Sequence, residues 1–187
     1  LLPELNKKTN LWVELGLQTA DAQSAAFIRR GYPRSVFTQA VYALAERNIP
    51  VVVHIILGLP GESRETVLRT IDYLNRLPIQ GVKLQLLHVL SDSDLADLYR
   101  AGEYTPLEKE EYLTLVGDCI AHLRADIVLH RLTGDGDKNT LLAPLWSLRK
   151  RDVLNHLHRY LRENHIRQGM SCKIDLSVIY NKPKDVL

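Results

Sequence analysis

Residues 49–57 read IPVVVHIIL, and the run breaks at once into Gly58-Leu59-Pro60-Gly61-Glu62-Ser63. So continuous a series of β-branched and aliphatic side chains is too short to cross a membrane, and it lacks the strict alternation of a half-wet strand. It describes a buried strand, of the kind found in a parallel sheet layered with helices. The turn after it has a bland reading and a functional one. Glycine permits a tight strand-to-helix connection and proline fixes it. Glycine also lets a ligand approach the backbone while the next helix offers N–H donors. The segment is neither a P-loop, since no GK[ST] follows, nor a GxGxxG fingerprint.

The same rhythm runs along the chain. Strand-like runs at 11–18, 49–57, 81–90 and 126–132 alternate with helical patterns. The helices are predicted at 21–30, 34–48, from a cap at Ser63 or Glu62 to about Leu77, at 93–100, at 107–124 and at 150–165. Pro33 and Pro78 mark breaks, because the residue before proline is pushed out of helical geometry. Repeated βα units predict a parallel sheet with right-handed crossovers, and 187 residues support one core of ordinary size. Residues 133–139, TGDGDKN, read as a loop. Within 170–187 a weak strand in KIDLSVIY leaves two readings open, an added edge strand or a disordered tail.

Several classes are disfavoured by composition. A net charge of +2 makes no electrostatic case for nucleic acid, and neither a membrane span nor a signal peptide is visible. Cys119 and Cys172 are far apart without a CxxC companion, which fits a reducing cytoplasm and excludes a self-contained cysteine-ligated zinc or iron–sulfur site. The chain opens on Leu1 and its only methionine is Met170, so it is expected to be a piece of a longer product.

Strand alternation sorts the polar residues onto one face. Glu14, Gly16 and Gln18 share a face of the first strand, as do Val52, His54, Ile56 and Gly58 on the second, and Lys83, Gln85 and Leu87 on the third. The opposite faces are almost wholly apolar. Interior polar groups are costly unless paired or solvated by a ligand cavity. One reading is a satisfied network in which Glu14, Gln18 and Lys83 or His54 bond to each other. The other is a ligand site at the strand C-terminal ends, where parallel sheets bind ligands. Three adjacent strands with the same feature favour the site.

With those residues placed, the order VELGLQT (13–19), RRGY (29–32) and VHIILGLPGES (53–63) resembles the radical S-adenosylmethionine superfamily. VKLQLLHVL, HRLTGDGDKN and APLWSLRKRDVLN extend the likeness to an uncharacterised bacterial family of the Elongator catalytic-subunit-like group. The resemblance implies an α/β fold, the C-terminal half of a partial (β/α)6 TIM-like barrel with a helical C-terminal extension. Such enzymes are similar in holding a [4Fe–4S] cluster on a CxxxCxxC loop, where reductive cleavage of S-adenosylmethionine yields a 5′-deoxyadenosyl radical that abstracts a substrate hydrogen. This chain lacks that loop. Residues 1–125 would then be barrel strands four to six, 126–169 the extension and 170–187 a tail. No metal ligand is expected here, no cofactor is expected to stay bound to the isolated chain, and the chain alone should be inactive.

The resemblance also implies roles. Gln18 matches the glutamine near the cofactor ribose, and Arg30 the arginine that pairs with the methionyl carboxylate. His54, Ile56 and Gly58 match the motif beside the adenosyl group, and His88 and Val89 the backbone lining the adenine. Tyr32 stands where the family pattern has histidine. Glu14, Lys83 and Gln85 are possible substrate contacts. His130, Arg131 and Asp135, in a hallmark of no known role, would bind an anionic part of a substrate or form structural salt bridges. The substrate would be a small molecule or RNA, no membrane is implied, and the open edge of the first strand predicts self-association. Two other classes stay open: a cluster-less relative that binds a nucleotide-like ligand or a partner, and a half-barrel enzyme using His54 or His88 for acid–base chemistry.

Overall fold

The computed structural model describes residues 2–134 and 136–174. After a short helix α1 (Leu2–Asn6), the chain enters β1 (Val13–Gln18), α2 (Ala22–Phe27), α3 (Arg34–Ala45), β2 (Val51–Leu57), α4 (Arg64–Leu74) and β3 (Gly81–Leu86). It continues through β4 (Val89–Leu90), α5 (Asp94–Arg100), α6 (Lys109–His122), β5 (Val128–Arg131), β6 (Leu141–Ala143), a 3-10 turn at Leu145–Leu148 and α7 (Lys150–Glu163). β1, β2, β3 and β5 pair in that order, all parallel. This is the α/β half-barrel expected, with the four strands at their expected places.

Local chemistry sets the element ends. Ser63, rather than Glu62, caps α4, its hydroxyl accepting from the N–H of Thr66 at 3.3 Å. Glu108 and Glu111 form a reciprocal capping box that starts α6. The helix expected over 21–30 is cut to six residues. Arg29 takes a left-handed φ of 52°, and the N–H of Arg30 turns back to Ala25 O at 3.0 Å, the geometry that closes a helix. The strand expected over 81–90 also divides. β3 leaves the parallel sheet after Leu86, and β4 pairs antiparallel with β6, a strand not expected from the sequence. A strand expected in KIDLSVIY lies mostly outside the described residues.

One face of the sheet presents Leu17, Val51, Val53, Ile55, Leu57, Val82, Leu84 and Leu86, all buried. Helices α4 and α6 pack on it, with Val67, Ile71, Leu74, Leu113, Val116 and Ile120 in the same cluster, and α7 closes over α6 through Val153 and Leu157. The opposite face holds Glu14, His54, Ile56, Lys83 and Gln85 at least partly open to solvent, which departs from the fully buried strand expected at 49–57. The difference follows from the architecture, because that face is the inner wall of a barrel of which this chain forms a part.

At the end where the strands begin, one buried cation ties the layers. Arg124 is 2% exposed. Its Nε and Nη2 donate to the two carboxylate oxygens of Asp126 at 3.0 and 3.2 Å, and Nη1 donates to the carbonyls of Asn75 and Leu77 at 2.8 and 3.3 Å. Asn75, fully buried, accepts from the Arg124 N–H at 2.9 Å through its side-chain oxygen and donates to His122 O at 2.7 Å. These bonds lock the α4–β3 connection to the α6–β5 connection. Removing one partner of a buried ionic cluster leaves the others desolvated and unpaired. Arg124→Ala should therefore cost about 3–5 kcal/mol of unfolding free energy in urea titration. Asp126→Ala should cost less, since the carbonyls remain to solvate the guanidinium.

Candidate functional site

Glu14 stands on β1 where its carboxylate meets the adjacent strand β2 and, across it, β3. Oε2 accepts from Lys83 Nζ on β3 at 2.5 Å and from His54 Nε2 on β2 at 2.6 Å, while Oε1 accepts from Trp12 Nε1 at 3.5 Å. Gln85 donates its amide to His54 Nδ1 at 3.3 Å. A carboxylate can only accept, so His54 carries its proton on Nε2, and both ring nitrogens are then used. The Lys83 hydrogen bond, then those from His54 and Trp12, pull the Glu14 pKa down to about 2, against a smaller opposing effect of burial. The expected network is thus present, with Gln85 as a member and Gln18 absent from it.

Gln18 is withdrawn by the backbone. It takes a left-handed φ of 59° inside a tight turn in which the N–H of Thr19 bonds to Leu17 O at 2.7 Å. The β1–β2 register shifts between Gly16 and Gln18 as a result. Its side chain folds back over Gly16, where any Cβ would collide with it. The amide, oriented to satisfy its neighbours, donates to Gly16 O at 3.2 Å and Leu17 O at 3.1 Å. Arg30 closes the same strand end. Its Nη1 donates to Leu17 O at 2.9 Å and Thr19 O at 2.7 Å, its Nε to Tyr32 O at 3.2 Å, and its guanidinium lies 5.3 Å from the Tyr32 ring centroid. Tyr32 in turn donates its hydroxyl to Gly16 O. Gln18 and Arg30 therefore meet at one rim, with Tyr32 as a third member.

The other expected residues divide between this rim and elsewhere. His54 and Ile56 lie on the open face below it. Gly58 follows β2 with a φ of +90°, a conformation only glycine adopts without strain. A Cβ there would press on Leu107 at 3.1 Å, and Tyr104 donates to the Gly58 carbonyl at 2.8 Å, so part of this turn is filled by the chain itself. Val89 is wholly buried and pairs with Ala143. His88 turns into the hallmark segment: a Cβ on Gly134 would lie 2.5 Å from its ring, and one on Gly136 3.5 Å from it. Ser147 spends its hydroxyl hydrogen on Pro144 O at 2.8 Å, so it accepts from His88 Nε2 at 3.1 Å. His88 is the donor in that pair and Ser147 is not an activated nucleophile.

His130 lies over Gly81, where a Cβ would be 2.5 Å from its Nε2, toward the start of β3 rather than at the rim. Arg131 ends β5 beside Lys83. Asp135 lies outside the described residues. Sequence reasoning missed Thr19 and Glu62, joined at 2.5 Å, with burial raising the Glu62 pKa. Nothing in the linear pattern pairs residues so far apart.

Whether this chain suits the groups its resemblance implies can be judged from donors alone. The rim offers an amide and a fixed guanidinium, which suit hydroxyl and carboxylate groups of an organic cofactor. Cluster ligation needs thiolates. Cys119 is wholly buried within α6, and Cys172 lies against Asn75 at the opposite end of the sheet. The donor set fits S-adenosylmethionine and does not fit the iron–sulfur cluster.

Comparison with known proteins agrees with this geometry. A family model described as the Radical SAM superfamily matches residues 1–74, and one described as the Radical_SAM C-terminal domain matches residues 79–163. The chain belongs to the radical S-adenosylmethionine superfamily. It is 36% identical over 168 residues to the uncharacterized protein YtqA of Bacillus subtilis (strain 168), covering 90% of this chain and 52% of that protein. It is 33% identical over 156 residues to the protein YhcC of Escherichia coli (strain K12), covering 83% of this chain and 50% of that protein. The archaeal Methanocaldococcus infernus Elp3 with an N-terminal deletion superposes with a TM-score of 0.75 at 17% identity, over 89% of this chain and 39% of that one, a likeness of fold. The chain spans about half the length of the curated relatives it matches.

The low Glu14 pKa has a pH consequence. A carboxyl whose folded pKa lies below its unfolded value stabilises the fold above the unfolded value, and that contribution fades as pH falls through the folded one. In the wild type the Glu14 side-chain carbon should titrate by NMR with a midpoint of about 2 rather than 4.5. The melting-temperature advantage over Glu14→Gln should be full at neutral pH and shrink between those two values.

Proposed function

We propose that this chain is the back portion of a radical S-adenosylmethionine enzyme, supplying one side of its cofactor site and the floor of its substrate cavity. The observation that carries the reading is Arg30. Its guanidinium is anchored on the carbonyls that end β1, with no carboxylate in ion-pair contact among the described residues. A cation fixed in this way is prepared to receive a carboxylate from outside, such as the methionyl carboxylate. Gln18, held in a strained turn at the same rim, offers its amide oxygen as acceptor to a ribose hydroxyl, and strain of this kind clusters at ligand sites. The bound cofactor, with a [4Fe–4S] cluster held by a segment other than this one, supplies radical hydrogen abstraction.

Below the rim, Glu14 stays ionised while Lys83 and His54 hold it, so the cavity floor offers positioned polar groups and no free base. This disfavours acid–base catalysis by His54, whose two nitrogens are committed. The substrate is a small molecule or an RNA, with Lys83 and Gln85 facing it. Among the described residues no helix is long and apolar enough to cross a membrane. Cys119 and Cys172 are free thiols, which supports a reducing cytoplasm as the compartment.

The test is anaerobic reconstitution with iron, sulfide and reductant, followed by measurement of 5′-deoxyadenosine. The 187-residue chain should form none, whereas a polypeptide extended upstream to a CxxxCxxC loop should form it. In that longer protein Arg30→Ala should weaken S-adenosylmethionine binding about tenfold, the worth of one charge-assisted contact. Product from the chain alone, or none from the extended protein, would reject the proposal.

The edge of β1 away from β2 has no strand partner among the described residues, and Trp12 beside it is 54% exposed. We expect the chain alone to self-associate through this edge. Light scattering across a concentration series should show rising mass, and a constant monomer mass would count against it.

A further inference from the structure

On the helical side of the same strand end, a cleft of about 660 Å³ opens between α2, the start of α3 and the first turns of α4. Its size lies within the range of small-molecule sites. One wall is built of Ala22, Ala25 and Ala26, and the facing wall carries Arg34 and Arg69. Both arginines are exposed, and each is fixed without a carboxylate. Arg34 lies over the Tyr73 ring, 5.1 Å from its centroid, and donates to Ala20 O at 3.3 Å. Arg69 donates to Thr66 Oγ1 at 2.8 Å. Residues 69 and 73 are one helical turn apart on α4, so Arg69 and the cation stacked on Tyr73 line the same cleft.

The acidic groups nearby are otherwise engaged. Asp21 lines the cleft, but its carboxylate caps α2, accepting from the Ser24 N–H at 2.9 Å. Asp21, Glu62 and Glu65 lie close enough to attract Arg69 without forming an ion pair with it. Arg29, also in the lining, is paired with Asp94 in an exposed bridge at 2.7 Å. The start of α3 adds to the positive side, since Pro33 caps it with no side-chain acceptor.

We propose that this cleft binds a small phosphorylated metabolite, its phosphate or diphosphate held by Arg34 and Arg69 and its organic part lying along the alanine wall. Two guanidiniums lining one cleft, neither held in an ion pair among the described residues, suit paired phosphate oxygens. The concave, half-apolar shape suits a compact ester, whereas a nucleic-acid backbone calls for a basic stripe. Total charge supports the same choice, because +2 leaves little beyond this cluster to follow a polyanion. The lining also takes in Arg30 and Tyr32 from the rim, so the cleft adjoins the site of the cofactor reading, while Arg34 and Arg69 belong to the cleft alone.

Calorimetric titration of the chain with inorganic pyrophosphate, with ADP and with a short oligouridylate tests this without cluster or S-adenosylmethionine. Pyrophosphate and ADP should both bind at millimolar concentration or below, more weakly as salt is raised. Arg34→Gln and Arg69→Gln should each weaken both about tenfold. Arg76→Gln, just past the end of α4 and outside the cleft, should leave both unchanged. Ala26→Trp, which fills the wall without changing charge, should weaken ADP more than pyrophosphate. Unchanged melting temperatures would show that these surface variants fold. Absence of binding by both small probes would overturn the proposal, as would affinities indifferent to Arg34 and Arg69. Oligouridylate binding tighter than ADP through the same arginines would overturn it in favour of a polyanion site.

Discussion

A single carboxylate, that of Glu14, lets three parallel strands share a polar face. Lys83 and His54 come from β3 and β2, and neither could lose so much water without an opposite charge or a strong acceptor. Because parallel register sets which residues lie side by side, the contact holds only if Glu14 pairs beside Val52 and His54 beside Lys83, as observed. The apolar helix-facing side would tolerate a slipped strand far better than this side would. The ionic group therefore specifies alignment more than it adds net stability, since desolvation offsets much of the attraction.

Much of this was legible in advance. The β-branched run at 49–57 located a central strand, and alternation put Glu14, His54, Lys83 and Gln85 on one face, where they do meet. Periodicity says nothing about how a strand ends, and that is where the reading failed. Alternation assigns Gln18 to the network, but its left-handed turn breaks alternation at that residue. The run 81–90 looks like one strand because β3 and β4 are both apolar, and only the antiparallel partner at 141–143 divides them. The helix over 21–30 was overextended because Arg29 has good helix propensity and nothing in its identity announces a left-handed backbone.

The hallmark HRLTGDG also reads differently in three dimensions. Its glycines leave room for the His88 ring, and His130 covers Gly81. The segment shapes the descent from β3 into the β4–β6 ribbon, so its small residues have a steric reason to be small. This accounts for Gly134 and Gly136 without any ligand.

The Asn75–Arg124 clasp has one more implication. The two regions matched by separate family models meet at residues 75–78, between α4 and β3. At that seam the sheet continues from β2 to β3, and Asn75 is bonded on both sides to the end of α6. The seam is therefore a boundary of description and not of folding. The Asn75 side chain bonds to backbone atoms of His122 and Arg124, and the Arg124 side chain to the carbonyls of Asn75 and Leu77. Each half of the clasp thus reads only main chain on the other side, so recombination between relatives at this point keeps whichever side chain is carried along.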